Sequence, residues 1–132
     1  MNHRRGTIID EICEKDLRYE PDAYDFVLES LSYTQKKFNR HRHVSGEELL
    51  QGIKDLLLEK FGPMALLVLQ YWGIKSTDDF GHIVFNLVSN KLLSKTEEDT
   101  LESFRNRYDF QQAFDVEYRR QLEKKLSRMR SF

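Results

Sequence analysis

The sequence predicts a mainly α-helical fold, a compact single domain built from several helices. Ser45 and Glu48 have the spacing of a capping box, in which a hydroxyl and a carboxylate bond the free backbone amides of a first turn. Gly62 can end that helix, and Pro63 prevents it from continuing. Residues 64–69 are apolar on every side, so the helix there is expected to be the most buried.

Length, composition and charge limit the classes of protein to which this chain could belong. The chain has 132 residues, which suits one domain that buries a core without disulfides or metals. Hydrophobic residues make up 39%, which argues against a disordered chain. The net charge of −1 gives no overall field that would favour nucleic acid or an anionic membrane. Cys13 is the one cysteine and no apolar run has transmembrane length, so a cytoplasmic protein without a membrane partner is expected.

Apolar side chains at helical spacing predict the other helices. Pro21 can open the second helix as its first residue. Ser76 and Asp79 form an aspartate version of the capping box before another helix. Apolar residues recur at four-residue steps from Phe110 to Leu126. The predicted helices span residues 7–17, 21–38, 45–61, 64–72 and 77–90, followed by a C-terminal helix.

Residues 92–104 allow two structures. Thr96 and Asp99 could cap another helix, which would carry Leu101 and Phe104 on its apolar side. Alternatively, strands at 92–95 and 100–104 form a short β-hairpin, and the preceding helices favour this arrangement. The fold would then be winged-helix-like, because residues 64–72 and 77–90 resemble a helix-turn-helix.

The proposed recognition helix does not have the surface of a base-reading helix. Its outward residues would be Asp78, Asp79, His82, Asn86, Ser89 and Lys91. This is not a basic face, whereas direct reading of DNA needs Arg, Lys, Asn or Gln directed at base edges. The winged-helix arrangement therefore predicts a topology, and the fold analogy alone does not give a function.

The chain divides into two predicted parts. Residues 1–114 form a helical globular domain, and residues 115–132 form a C-terminal basic helical extension. Six Lys or Arg lie between Arg119 and Arg130.

Six segments are similar to a known bacterial family. They are HVSGEELLQGI at 43–53, FGPMA at 61–65, WGI at 72–74, DFGHIVFN at 79–86, LSKTEED at 93–99 and YDFQQAF at 108–114. Together they resemble the Minf-type family, a small group of uncharacterised bacterial proteins named by genome locus tag. The resemblance covers residues 11–114 and implies a bacterial, cytoplasmic protein with no assigned activity. Residues 116–132 depart from the family, whose members end earlier.

Two basic clusters indicate contacts to phosphates. The loop after the second helix places four Lys or Arg within eight residues, and the C-terminal extension adds more. Such clusters bind nucleic acid in a salt-sensitive way, although Lys and Arg are also common at helix C-termini because the dipole favours them. The predicted nucleic-acid-binding residues are Lys36, Lys37, Arg40, Arg42, Arg119, Arg120, Lys124 and Lys125. The first functional hypothesis is therefore a non-enzymatic accessory or regulatory module that contacts nucleic acid or a nucleoprotein.

A protein–protein adaptor is the alternative hypothesis. Tyr24, Tyr33, Tyr71 and Trp72 belong to residue types enriched at the centres of interfaces. Strong salt dependence of binding would favour nucleic acid over this alternative.

A small enzyme is the third hypothesis. Asp78 and His82 are one helical turn apart, close enough for a carboxylate to orient an imidazole. Asp78 and Asp79 also suit a helix N-terminus, where negative charge is stabilised, so no catalytic residue is assigned.

No metal or cofactor is predicted. His41 and His43 form one pair of possible ligands, but a structural zinc site needs three or four that converge. Cys13 lies on the apolar face of the first helix, which indicates a small core residue and not a nucleophile.

Overall fold

The computed structural model describes residues 3–39, 43–94 and 101–130. Within these residues the chain forms six α-helices, which confirms the mainly α prediction. They are α1 (His3–Lys15), α2 (Pro21–Lys37), α3 (Gly46–Phe61), α4 (Ala65–Trp72), α5 (Thr77–Ser89) and α6 (Glu117–Arg130). Short 3-10 helices occupy Gly62–Met64 and Leu101–Phe104, and a π-helix at Gln112–Val116 leads into α6.

The predicted capping box is present at the start of α3. The backbone amide of Glu48 donates to the Ser45 hydroxyl at 3.1 Å, and the amide of Ser45 donates to Glu48 Oε1 at 3.0 Å. At the start of α5, Asp79 Oδ2 accepts from the amides of Lys75 and Ser76 at 2.7 and 3.2 Å. Local sequence therefore determines where both helices begin.

The centre of the fold is the contact between α2 and α3. At Gly52 the helices are so close that a Cβ atom there would lie 1.8 Å from Thr34 Oγ1. The Thr34 hydroxyl is itself buried and donates to the Ser30 carbonyl at 2.6 Å. Helix α5 packs on the other side of α2 and buries Phe80, Ile83 and Leu87. The core thus lies between α2, α3 and α5.

The β-hairpin prediction at 92–104 is wrong in its second strand. Leu101–Phe104 is a 3-10 helix, and no strand occurs in the described part of the chain, while residues 95–100 lie outside it. Phe104 is buried against Gly46 and Gly81, and Cβ atoms at those glycines would lie 3.0 Å or less from residues 103 and 104. The Thr77 hydroxyl holds the Phe104 carbonyl at 2.7 Å. Helix termini therefore anchor this segment, and the winged-helix arrangement has no support here.

The expectation that residues 64–69 form the most buried helix is also wrong. Leu69 is 1% exposed, but Leu67 is 56% exposed and Tyr71 is 71% exposed. Helix α4 is only eight residues long, and α2 and α3 cover one of its sides. Its other apolar side faces outward.

The C-terminal helix begins next to a cluster of packed aromatic rings and is then exposed to solvent. Phe110 and Phe114 stack edge to face with ring centroids 5.6 Å apart, and Tyr108 joins both. The Glu117 amide bonds the carbonyl of Gln112, five residues back, so the π-helix runs directly into α6. From Arg119 to Met129 every residue is exposed.

None of the helices in the described ranges has the length and apolar character that crossing a membrane requires.

Candidate functional site

The basic loop is only partly described. Lys36 is exposed at the end of α2, and Lys37 makes an ion pair with Asp55 of α3, which raises the pKa of the lysine. Lys37 is therefore held against the body. Arg40 and Arg42 lie outside the described residues, as does His41.

The predicted contacts in the extension lie on an exposed helix. Arg119 forms an ion pair with Asp115 one turn earlier, at 2.6 Å. Arg120, Lys124 and Lys125 are exposed on α6. Lys37 thus pairs with a residue of α3, and Arg119 pairs with a residue just before α6. Neither ion pair connects the basic loop to the C-terminal extension.

The aromatic residues chosen for an adaptor surface differ in accessibility. Tyr24 and Trp72 are buried in the core, so they cannot contact a partner directly. Tyr33 is half-buried and packs against the core. Tyr71 alone among the four is widely exposed.

A polar cluster surrounds His82, but its carboxylate partner is Asp79 and not Asp78. His82 Nδ1 lies 3.7 Å from Asp79 Oδ1 and 3.2 Å from the Tyr19 hydroxyl. Tyr19 donates to Asp79 at 2.5 Å. Asp78 accepts instead from the backbone amide of Asn106 at 2.9 Å, which holds the chain after the second 3-10 helix.

The cluster continues through the connector between α1 and α2. Arg18 contacts Asp16 through two nitrogens, at 2.9 and 2.8 Å, and this pairing holds the pKa of the Asp16 carboxyl far below its usual range. Asn86 donates to both Asp16 and the Tyr24 hydroxyl at 2.9 Å. Burial raises the pKa of Tyr24 to about 12. These contacts join the connector to α5.

The contacts around His82 connect the α1–α2 connector to helix α5. Tyr19 is buried, and desolvation together with its bond to Asp79 raises the pKa of its hydroxyl, so it stays protonated. Cys13 is half-buried nearby, and burial raises its thiol pKa, which opposes a thiolate nucleophile. His82 and Asp78 do share a shallow cavity of about 290 Å³ with Leu101, Glu102 and Arg105. Within the described residues no group of three His, Cys, Asp or Glu could hold a metal ion.

An open, mostly apolar groove of about 460 Å³ lies between α2, the end of α3 and α4. Its floor is an aromatic trio: the Phe26 ring lies 5.1 Å from Trp72 and 6.2 Å from Phe61, centroid to centroid. Leu67 and Tyr71 form its wall. We call this surface the α2–α4 groove.

One edge of the α2–α4 groove is acidic. Asp22, Asp25 and Glu29 line it from α2, and their spacing of three and four residues places them along one side of that helix. Lys60 lies opposite and pairs with Glu29 at 2.6 Å. The charged residues that line the groove therefore carry a net charge of −2.

Comparison with known proteins adds no relative: no family model, no curated protein and no solved structure matches the chain. The resemblance to the Minf-type family stays a prediction and supplies no part of the function proposed below.

Sequence patterns missed the two principal features of this site. Tyr19 and Asp79 are far apart in the chain, and only the packing of the connector on α5 brings them together. The groove depends on which side of α4 is left uncovered, which apolar spacing does not determine. The spacing of Asp22, Asp25 and Glu29 on α2 was the feature of the sequence that could have indicated the groove.

Proposed function

We propose that the protein is a protein-binding module whose α2–α4 groove holds a basic amphipathic helix of a partner. The observation that supports this proposal is an open aromatic floor with an acidic edge. Helices with apolar residues at turn spacing commonly bind in grooves of this kind. No catalytic step is assigned to the protein.

The exposed wall explains why binding would be favourable. Leu67 and Tyr71 present apolar surface to water, and covering it would contribute about 25 cal/mol for each Å² removed from solvent. Tyr71 is exposed in this wall, and tyrosine is among the residue types that dominate binding energy at interface centres.

The acidic edge selects the charge of the partner. Three carboxylates along α2 attract Lys or Arg on a bound helix and repel an acidic one. Much of this effect would appear in the association rate and would decrease with salt.

A fluorescent peptide tests the proposal directly. The probe is a designed helical peptide of leucine and lysine with one apolar side, and its control has the same composition in scrambled order. Binding to dilute protein is measured by anisotropy. We expect saturable binding of the amphipathic peptide alone, weakened about tenfold or more by Leu67→Asp/Tyr71→Ser.

The matched control is Leu17→Asp, which adds the same charge at a residue that is 85% exposed and does not line the groove. It should bind as the wild type does. Equal binding by the groove variant and the wild type, or no saturable binding at all, would refute the proposal. Circular dichroism of each variant checks that the fold is intact.

Nucleic-acid binding remains a second proposal because Arg120, Lys124 and Lys125 are exposed on α6. Binding to mixed RNA and DNA pools is measured at several salt concentrations. Replacement of Arg120, Lys124 and Lys125 by Gln should flatten the log–log salt slope by about one unit for each side chain that binds a phosphate. Replacement of Lys36, Lys37, Arg40 and Arg42 by Gln tests the loop in the same way. Absence of wild-type binding at low salt would exclude this second function.

A further inference from the structure

Helix α6 presents an apolar stripe that is exposed from Leu122 onward. Leu122 and Leu126 are one turn apart and are 40% and 50% exposed. Met129, which is 66% exposed, continues the stripe, and Tyr118 begins it one turn before Leu122. Spacings of four, four and three residues keep all four side chains on one side of a helix. We call this feature the α6 stripe.

Tertiary packing contributes little to the stability of most of α6. The helix continues from the π-helix, but every residue from Arg119 to Met129 is exposed, and most helical stability in proteins comes from packing of an apolar face. Burial of the α6 stripe would supply that packing. The described residues therefore include both an open groove and a helix whose apolar stripe is exposed.

Charge argues against pairing of α6 with another α6. The helix contains six Lys or Arg and two Glu, a net charge of +4. Two such helices side by side would bring like charges together. The groove, with its net charge of −2, is the complementary surface.

The basic residues beside the stripe match the acidic edge in spacing. Lys125 and Arg128 are exposed, are three residues apart, and flank the α6 stripe on one side. Asp22 and Asp25 have the same separation on α2. At a rise of about 1.5 Å per residue, each pair is spaced by about 4.5 Å along its helix.

We infer that the α2–α4 groove of one copy holds α6 of a second copy, and that two copies exchange these helices reciprocally in a two-fold dimer. This inference rests on the proposed function and names the partner. Basic residues of each α6 then lie against the α2 carboxylates of the other copy.

The position of the first turn of α6 is consistent with this exchange. The Tyr118 hydroxyl lies 3.2 Å from where a Cβ of Gly62 would be, and Gly62 follows Phe61 in the floor of the groove. Helix α6 thus begins beside its own groove. It is continuous with the π-helix before it, so folding back into that groove would require breaking the helix.

Reciprocal exchange also increases the buried surface. One helix in one groove is a small contact, whereas a two-fold dimer makes it twice and closes without leaving a free groove.

Sedimentation velocity of the full chain over a concentration series tests the inference. We expect a monomer–dimer equilibrium. The groove variant Leu67→Asp/Tyr71→Ser and the helix variant Leu122→Asp/Leu126→Asp should each raise the dimer dissociation constant about tenfold or more. Ser127→Asp, on the opposite side of α6, and Leu17→Asp should leave it unchanged.

Mixing the two variants separates helix exchange from other dimers. The helix variant keeps an intact groove and the groove variant keeps an intact α6, so one contact can form between them. The mixture should therefore associate more strongly than either variant alone. Pairing of α6 with α6 predicts no such gain, and its absence would overturn the inference.

Charge reversal provides an independent check. Lys125→Glu/Arg128→Glu should weaken the dimer, and adding Asp22→Lys/Asp25→Lys in the same chain should restore it. Failure of the second pair to restore association would refute the proposed alignment of the helices.

The inference and the proposed function can fail separately. A full chain that stays monomeric at every concentration, while its groove binds the leucine–lysine peptide, would exclude a second copy and leave the proposed function intact. A chain that stays monomeric and also does not bind the leucine–lysine peptide would refute both the inference and the proposed function. A dimer that is insensitive to the groove variant would place the interface elsewhere and overturn the inference.

Discussion

Helices α2 and α3 and the outward sides of α4 and α6 carry similar apolar residues at similar helical spacing. Between α2 and α3 these residues are buried, whereas on α4 and α6 they are exposed. Between α2 and α3, Gly52 and Thr34 approach until no room is left for a methyl group. On α4 and α6, Leu67 and Leu126 face outward with half or more of their surface exposed.

This difference shows that the spacing of apolar residues determines which side of a helix is apolar, but not which element packs against that side. In the first region the covering element belongs to the same chain, and the fit is close enough to fix the crossing of two helices. In the second region the faces lack a cover within the described chain, and each has charges beside it. Charges at the margin of an apolar face are therefore the better sign of a binding surface.

The largest expected effect contrasts the two sides of α4. Leu69→Ala should reduce the free energy of unfolding by about 2–5 kcal/mol, because it removes a fully buried side chain and leaves a cavity. Leu67→Ala should cost less than about 1 kcal/mol in the monomer. Urea unfolding measures both, at concentrations where the chain is monomeric. Similar losses for the two variants would mean that α4 is covered on both sides.

The next effect tests how close the α2–α3 contact is. Gly52→Ala should destabilise the fold by about 1–3 kcal/mol through overpacking, although alanine is the better helix former. Thr34→Ala removes the oxygen atom that the new methyl group meets. The double variant should therefore be more stable than the sum of the two single changes implies, as a double-mutant cycle would show. A stabilising Gly52→Ala would contradict the close contact.

The cap of α3 should have a smaller effect. Ser45→Ala removes the hydroxyl that accepts from the Glu48 amide, and the expected loss is about 1 kcal/mol. Ser45→Asp is the matched control, since aspartate can accept the same bond. An unchanged urea midpoint and slope for Ser45→Ala would show that the cap contributes nothing to stability.

The smallest effect concerns the ion pair beside the core. The pKa of Asp16 is lowered in the folded protein by its bonds to Arg18 and then Asn86. Its contribution is therefore present above the unfolded carboxyl pKa of about 3.9 and is lost as pH falls below that value. Because Arg18 is half exposed, Asp16→Asn should cost less than about 1 kcal/mol at neutral pH.

Acid titration of stability checks this expectation. The difference between wild type and Asp16→Asn should shrink as pH falls from about 4 toward the acid limit. A constant difference between Asp16→Asn and wild type at all pH values would refute the role of the carboxylate charge.

Much of the fold was predictable because its signals are local. Ser45 and Glu48 specify a helix start within one turn, and Pro21 opens α2 where expected. The segment around Phe104 was not predictable in the same way, because it is held by Gly46, Thr77 and Gly81 on distant helices. A strand and a 3-10 turn can share the same apolar residues, and tertiary contacts select between them.

The candidate site was less predictable than the fold. The aromatic pattern included the exposed Tyr71 but could not distinguish it from the buried Tyr24 and Trp72. Similarly, the spacing of Asp78 and His82 suggested a pair, while the structure joins His82 to Asp79 and Tyr19. Exposure and long-range pairing are properties of the packed chain, so they enter only with the tertiary structure.

The π-helix before α6 makes the position of a length change, and not only its size, a determinant of recognition. Its turn is closed by a bond that spans five residues instead of four, so it accommodates one extra residue. Deleting a single residue between Gln112 and Val116 would restore an ordinary turn and leave the direction of the following helix nearly unchanged, because the wide turn had absorbed that residue. Deleting a residue between Arg119 and Gln121, in the regular part of α6, would instead rotate everything after it by about 100°. Leu122, Leu126 and Met129 would then stay on one side of the helix and point in a different direction, so one codon lost on one side of Glu117 is absorbed and one codon lost on the other side redirects the α6 stripe.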